Sequence, residues 1–176
     1  MIISNTDYIL KWIEKSKSET DAFDKFVYGF FALNAMYSVY YDGDERYAIK
    51  KLFASSIDAH YEEYREILYT SEYEYFCNRP AIKNCKYDPF KEHPGPRDTS
   101  RDKMDLVDRS PKKSNRAMLM ILYQVRCNLF HGNKSFSNAD DQEIMKNAAE
   151  LLLRYNLILS KELRDLNPNF SLDTHT

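Results

Sequence analysis

Apolar residues recur along most of this chain at three- and four-residue steps, the spacing that places side chains on one face of an α-helix. The clearest stripe lies between residues 20 and 41, where aromatic side chains dominate, and it stops at Asp42-Gly43-Asp44. No segment shows a convincing alternation of the kind that predicts a strand. The pattern therefore predicts an all-α protein, an up-and-down bundle of four to five helices.

Capping and stop signals set the expected ends of these helices. Five helices are predicted, over about residues 6–18, 21–41, 45–69, 114–132 and 139–166. Thr20 is expected to cap the second helix, and Gly132-Asn133 to end the fourth. The fourth helix is apolar on more than one side, which predicts a central position in the bundle.

Residues 71–113 do not follow the helical pattern. This segment holds five of the six prolines of the chain, and proline disrupts both helices and strands. It is predicted to be a long irregular loop or insertion before the fourth helix, with one short helical turn at most. The whole chain, residues 1–176, is interpreted as a single helical domain.

Composition narrows the class of protein. At 43% hydrophobic residues the chain can build a core, and no apolar run is long enough for a transmembrane helix. No secretory signal is readable, and three cysteines fit a reducing compartment, so a cytoplasmic protein without membrane association is expected. Residues 71–134 carry 13 basic against 8 acidic side chains, whereas both flanks are acidic. That distribution is compatible with an anionic ligand or simply with mixed surface charge.

Several common kinds of site have no signature in the sequence. The cysteines and histidines lack zinc-site spacing, and there is neither a glycine-rich phosphate loop nor a serine nucleophile elbow. No metal and no other cofactor is expected.

Polar residues gather at the end of the otherwise apolar fourth helix. Five lie within nine positions: Arg126, Asn128, His131, Asn133 and Lys134. Burying such groups costs free energy unless they are paired or face a cavity. A polar cluster at the helix end, with His131 favoured by the helix dipole, is one interpretation, and a functional site is the other.

Residues 126–134 read Arg-Cys-Asn-Leu-Phe-His-Gly-Asn-Lys, which resembles the signature of the HEPN superfamily, Arg followed after four to six residues by His. The segments Phe30–Tyr37 and Tyr75–Pro80 also look like parts of that family, so the resemblance covers roughly residues 20–165, with 86–113 as an insertion. One position departs from the family pattern: Cys127 stands where Asn, Asp or His is common. Either Asn128 supplies the missing polar group or the site is weaker than in the family.

The resemblance implies a metal-independent endoribonuclease. In that chemistry the ribose 2′-hydroxyl attacks the adjacent phosphorus, His131 transfers a proton, and Arg126 binds the phosphate, with Asn128 as the third catalytic candidate. Family members usually pair two motifs across a dimer interface, which implies a homodimer. They include toxins and defence effectors, so an antitoxin or regulatory partner is also implied. The alternative is a non-catalytic HEPN module that binds RNA, a nucleotide or a protein partner.

Further residues are candidates for RNA binding or for support of the motif. Those for RNA binding are Lys134, Asn133, Arg116, Lys112 and Lys113. For the last three, a solvated helix start is the competing interpretation. Asn34, on the aromatic stripe, is expected either to hydrogen-bond the motif or to be a satisfied core residue. Cys127 is either a supporting residue of the motif or a small packed side chain.

Overall fold

The computed structural model describes residues 3–83, 98–132 and 134–165. Within these ranges the chain is all-α and has no strand, as the sequence predicts. The eight helices are α1 (Ile3–Ser18), α2 (Ala22–Tyr37), α3 (Glu45–Ser56), α4 (Tyr61–Ile67), α5 (Ser71–Asn78), α6 (Ser100–Asp105), α7 (Arg116–Phe130) and α8 (Ala139–Asp165). None of the described helices combines the length and the apolar character needed to cross a membrane.

The aromatic helix α2 packs between α1 and α8. Its phenylalanines at 23, 26 and 30 are buried, which accounts for the stripe seen in the sequence. Gly29 permits the close approach of α8, because a Cβ atom there would lie 3.2 Å from the Leu152 side chain. Asn156 of α8 then donates a hydrogen bond to the Gly29 carbonyl at 2.8 Å.

Helix α7 occupies the centre of the bundle. Its residues Ala117–Leu122 are all buried, so several faces of the helix contact other elements, as its pattern predicts. A buried asparagine fixes its beginning: Asn115 donates to the Tyr64 carbonyl at 2.7 Å and accepts from the Tyr155 hydroxyl at 2.7 Å. These two bonds tie α4 and α8 to the start of α7.

Two predicted boundaries are wrong. Asp21, not Thr20, caps α2, because its carboxylate accepts from the backbone N–H groups of Phe23 and Asp24 at 2.9 and 3.0 Å. The predicted third helix is two helices, α3 and α4, separated by a turn at residues 57–60. The apolar spacing continues through that turn because both helices face the same core, so periodicity alone does not reveal the break.

The prediction of a long irregular loop over residues 71–113 is also wrong for much of that segment. Helix α5 begins after Thr70, whose hydroxyl accepts from the Tyr73 N–H at 3.3 Å, and it buries Tyr73 and Phe76. The prolines do not interrupt these elements: Pro80 follows α5, and Pro111 opens a helical turn that leads into α7. The described part of the bundle therefore contains more helices than the four or five that the sequence predicts. Residues 84–97 lie outside the described part of the chain.

A lysine connects the two parts of this segment. The Lys103 ammonium group of α6 donates to the carbonyls of Phe76 and Arg79 at 2.8 and 2.6 Å and also contacts that of Cys77. It thereby satisfies carbonyl groups at the C-terminus of α5. Burial lowers the pKa of Lys103. The contact holds α6 against the bundle beside α7.

Candidate functional site

The motif residues lie at the C-terminal end of α7. The helix ends at Phe130, where His131 adopts φ −94° and ψ 12°, outside helical values. Gly132 follows with φ +71°, a left-handed conformation that glycine adopts without strain, and its N–H donates to the Leu129 carbonyl at 3.0 Å. The helix thus stops at the glycine that the sequence indicates, and His131 is left exposed at its end.

A carboxylate from another helix holds Arg126. Glu45, the first residue of α3, accepts from the Arg126 guanidinium at 3.3 Å. The same carboxylate accepts from the hydroxyls of Tyr37 and Tyr123 at 2.9 and 2.8 Å. We call these four residues the Glu45 cluster. The cluster joins α2, α3 and α7 through one carboxylate. In each of its hydrogen bonds, Glu45 accepts from a side chain of α2 or α7.

Three aromatic rings surround the Arg126 guanidinium. Its central carbon lies 5.3 Å from the ring centroid of Phe30, 5.9 Å from that of Tyr123 and 5.1 Å from that of Phe130. Such distances are favourable for cation–π attraction. The Arg126 side chain still retains 26% exposure, and its buried Nε has no hydrogen-bond partner among the described residues. Arg126 is therefore held in place and remains reachable from solvent.

The phenols of the Glu45 cluster are held in their protonated form. Burial, followed by the hydrogen bond to Glu45, raises the pKa of Tyr37. The same two causes raise the pKa of Tyr123. Both hydroxyls therefore act as donors to the carboxylate over the physiological pH range.

Arg126 and His131 do not meet within one protomer. Five residues of α-helix correspond to a rotation of about 500°, which leaves two side chains roughly 140° apart. In the described part of the chain no hydrogen bond or ion pair joins them. One arrangement that brings both groups to one phosphate takes them from two chains.

Asn128 lies inside the protein. It is 3% exposed, donates to the Lys83 carbonyl at 2.8 Å and accepts from the Gln124 side chain at 3.0 Å. Gln124 in turn accepts from Arg46 of α3 at 3.2 Å. Asn128 therefore anchors the chain at residue 83 to α7, and this placement suits a positioning residue better than a group that touches a phosphate.

The two supporting candidates have different surroundings. Cys127 is half-buried, a free thiol beside the Tyr123 hydroxyl. Asn34 is exposed on α2, where it lines a shallow cavity with Tyr8 and Trp12. It is therefore not the core asparagine that the stripe suggested, and within the described residues no hydrogen bond connects its side chain to the motif.

The basic residues after the motif are partly accounted for. Lys134 is only 8% exposed and forms an ion pair with Asp141 of α8, whose other oxygen accepts from the Ser135 N–H at 3.0 Å. That pairing stabilises the turn between α7 and α8. Asn133 lies outside the described residues.

The remaining basic candidates lie at the opposite end of α7. Lys112 pairs with Asp58 at 2.8 Å, and Lys113 lies 3.3 Å from Asp108. Arg116 is the first residue of α7, ten residues or about 15 Å along the helix axis from Arg126. These residues therefore do not share a site with the motif.

Sequence reasoning did not identify three members of the Glu45 cluster, Glu45, Tyr37 and Tyr123, as site residues. Glu45 and Tyr123 are 78 residues apart, and only the packing of α3 against α7 brings them together. The single available signal was the acidic residue directly after Asp44, the residue that caps α3, which is a common position for a carboxylate in any helix.

No group of three or more His, Cys, Asp or Glu side chains in the described ranges is arranged to hold a metal ion. Comparisons with protein-family models, with curated proteins and with solved structures give no match for this chain. The resemblance to the HEPN superfamily stays a prediction from the motif residues and from the segments Phe30–Tyr37 and Tyr75–Pro80.

Proposed function

We propose that the protein is a metal-independent endoribonuclease of HEPN type, active as a homodimer on cytoplasmic RNA. The observation that carries the proposal is the presence of an exposed histidine at the end of α7, five residues after a positioned, solvent-accessible arginine. Such an enzyme would serve as a toxin or antiviral defence effector and would need an antitoxin or regulatory partner to restrain it.

The reaction needs only groups that the chain and the RNA supply. The 2′-hydroxyl loses its proton and attacks the adjacent phosphorus, while the 5′-oxygen of the next nucleotide leaves and gains a proton. The products are a 2′,3′-cyclic phosphate and a free 5′-hydroxyl. A histidine can accept the first proton or donate the second, and two copies of His131 provide one group for each step.

Arg126 would stabilise the negative charge that develops on the phosphate oxygens. Its guanidinium is already oriented by Glu45 and by the three rings, so little conformational entropy is lost when a phosphate binds. Glu45 would continue to accept a hydrogen bond from one guanidinium N–H group of Arg126, and the phosphate would accept from the N–H groups on the exposed side.

Exposed aromatic groups near the motif support an interface between two copies. Phe130 is 48% exposed at the end of α7, and Tyr41 is exposed beside Tyr37 of the Glu45 cluster. An isologous contact over this face would cover both rings and bring His131 of one copy towards Arg126 of the other.

Cleavage of labelled RNA in EDTA tests the proposal. We expect cleavage by the native chain and a loss of about 10²-fold or more in rate for His131→Gln, with little change in RNA affinity, because general acid–base groups contribute on that scale. The matched control is His60→Gln, since His60 lies at the other end of the bundle, beside Glu63. Equal rates for native protein and His131→Gln would refute the proposed mechanism.

The second candidate function is a non-catalytic module that binds RNA, a nucleotide or a protein partner. The engagement of Arg126 by Glu45 favours it, because a guanidinium whose charge is partly offset by a carboxylate stabilises less of the charge that develops in a transition state. RNA affinity without cleavage, together with weaker binding by Arg126→Gln, would support this function over the first.

A further inference from the structure

A second group of cations lies at the N-terminal end of α7. Lys50 of α3, Arg101 of α6 and Arg116 of α7 line a cavity of about 290 Å³. Ala117 and Met120, both buried, form its apolar floor. We refer to this site as the α3–α6–α7 cavity.

The three cations of this cavity have no acidic partner among the described residues. Their basic neighbours do: Lys112 pairs with Asp58, Lys113 with Asp108, and Arg109 with Glu74. A protein that pairs the surrounding charges and leaves three cations together retains a local positive potential, which attracts anions.

Two carboxylates line the same cavity. They belong to Asp102 and Asp105. The Lys113 ammonium group lies 3.7 Å from the Asp105 carboxylate and offsets part of the negative charge of Asp105. With three basic and two acidic side chains, the lining is positive by one charge. Two of its cations are arginines, whose planar guanidinium groups bind phosphate oxygens through two parallel hydrogen bonds.

Helices α3 and α7 both line the cavity, and both also contribute residues to the Glu45 cluster. Helices α3 and α7 run antiparallel there, since Glu45 contacts Arg126 whereas Lys50 lies near Arg116. Between these points Arg46 places its guanidinium 5.3 Å from the Tyr123 ring centroid. Basic side chains of α3 and α7 thus occur from the cavity, through Arg46, to Arg126.

We propose that the α3–α6–α7 cavity binds backbone phosphates of a single-stranded RNA whose scissile phosphate lies at Arg126. This inference rests on the proposed function. The axial separation of Arg116 and Arg126 is about 15 Å, a distance that a single strand of a few nucleotides spans. The cavity is open and two of its cations are exposed, which suits a passing strand better than an enclosed small anion.

The test measures RNA affinity against salt in the full chain carrying His131→Gln, so that no substrate is consumed. Each lost phosphate contact lowers the salt slope by about 0.7 for a single strand, so Arg101→Gln with Arg116→Gln should lower it by about 1.4. That loss is expected for an oligonucleotide of about 12 nucleotides and not for a dinucleotide, whose single internucleotide phosphate cannot contact both sites.

Lys112→Gln is the matched control. Lys112 lies four residues before Arg116 but is paired with Asp58 outside the cavity, so its replacement should leave the slope unchanged. Melting curves of all variants check that the fold is retained. A separate competition experiment adds inorganic phosphate, which should displace the long oligonucleotide only weakly.

Two results would overturn the inference. One is an unchanged salt slope in the double variant. The other is an equal loss for short and long oligonucleotides together with strong competition by inorganic phosphate, which would identify a small-anion site. Failure of the proposed function is distinguishable, because a native chain that never cleaves RNA can still show the length-dependent change in slope.

Discussion

Helix α7 carries two arginines, one at each end, whose surroundings differ. Arg126 is paired with Glu45 and surrounded by three rings. Arg116 is exposed, has no acidic partner among the described residues, and shares its cavity with Arg101 and Lys50. The half-buried charge of Arg126 is offset by a carboxylate of the protein itself. The exposed charge of Arg116 has no such partner among the described residues and is accessible to an anion.

The contrast separates two roles that the sequence cannot separate. Removing a partner from a buried pair leaves an uncompensated charge and is costly, whereas an exposed, unpaired arginine contributes little to stability. Substitutions at Arg126 should therefore change both stability and activity. Substitutions at Arg116 should change only the binding of anions.

The largest expected effect on stability belongs to Glu45. Glu45→Ala leaves the Arg126 guanidinium and two phenols without their acceptor, and we expect a loss of about 2–3 kcal/mol in the free energy of unfolding. That figure is below the value for a fully buried pair, because both side chains retain some exposure. Urea unfolding measures it, with Arg116→Gln as the control, expected within about 0.5 kcal/mol of the native chain. Equal stability of the two variants would contradict the comparison.

Asn128 offers the next test. Asn128→Ala removes the bond to the Lys83 carbonyl and leaves Gln124 with an unpaired amide, so we expect a loss of about 1–2 kcal/mol. Asn34→Ala, at an exposed asparagine, is the matched control and should cost less than about 0.5 kcal/mol. Thermal melts of both variants decide the matter. A larger loss of stability for Asn34→Ala than for Asn128→Ala would contradict this prediction.

Exchange of arginine for lysine sharpens the difference between the two ends of α7. Arg126→Lys keeps the charge but loses the planar group that lies against the rings, so we expect about 1 kcal/mol less stability and strongly reduced cleavage. Arg116→Lys should keep its stability and its salt slope, because a lysine still contacts a phosphate. Paired melts and cleavage assays measure both. Full cleavage by Arg126→Lys would show that its fork geometry is not needed.

The smallest expected effect is on stability at alkaline pH. Because burial and Glu45 raise the pKa of Tyr37 and Tyr123, the native protein keeps protons that the unfolded chain loses near pH 10. The free energy of unfolding therefore falls as the pH rises above 10, by about 0.8 kcal/mol per phenol at pH 10.5. Tyr123→Phe should show a shallower decline than the native chain. An exposed control, Tyr69→Phe, should decline like the native chain.

The sequence predicted those features that local pattern controls. The helical class, the central position of α7 and its end at Gly132 all follow from spacing and from the conformational freedom of glycine. The division of 45–69 into α3 and α4 was missed, because the core-facing spacing continues across the turn. The helices within 71–113 were missed because prolines were counted without asking whether each lies inside a helix or just outside one.

The candidate site shows the same division at the level of single residues. Local sequence identified Arg126 and His131 and placed both at a helix end. It grouped Lys134 and Asn128 with them, yet both are used by the fold, one in an ion pair and the other in a buried hydrogen bond. Which polar residues remain available to a ligand depends on partners from distant parts of the chain, and no local pattern contains that information.

By itself the sequence determined that the chain is helical and which polar groups lie at the end of α7, since both depend on neighbours within a few residues. Tertiary structure alone decided that Glu45 pairs with Arg126 across 81 positions of sequence, while Arg116 forms no ion pair with a carboxylate of the described residues. The physical reason is that charges are paired or left free by the packing of whole helices. The free energy of that packing comes from buried apolar faces throughout the bundle, not from the charges themselves.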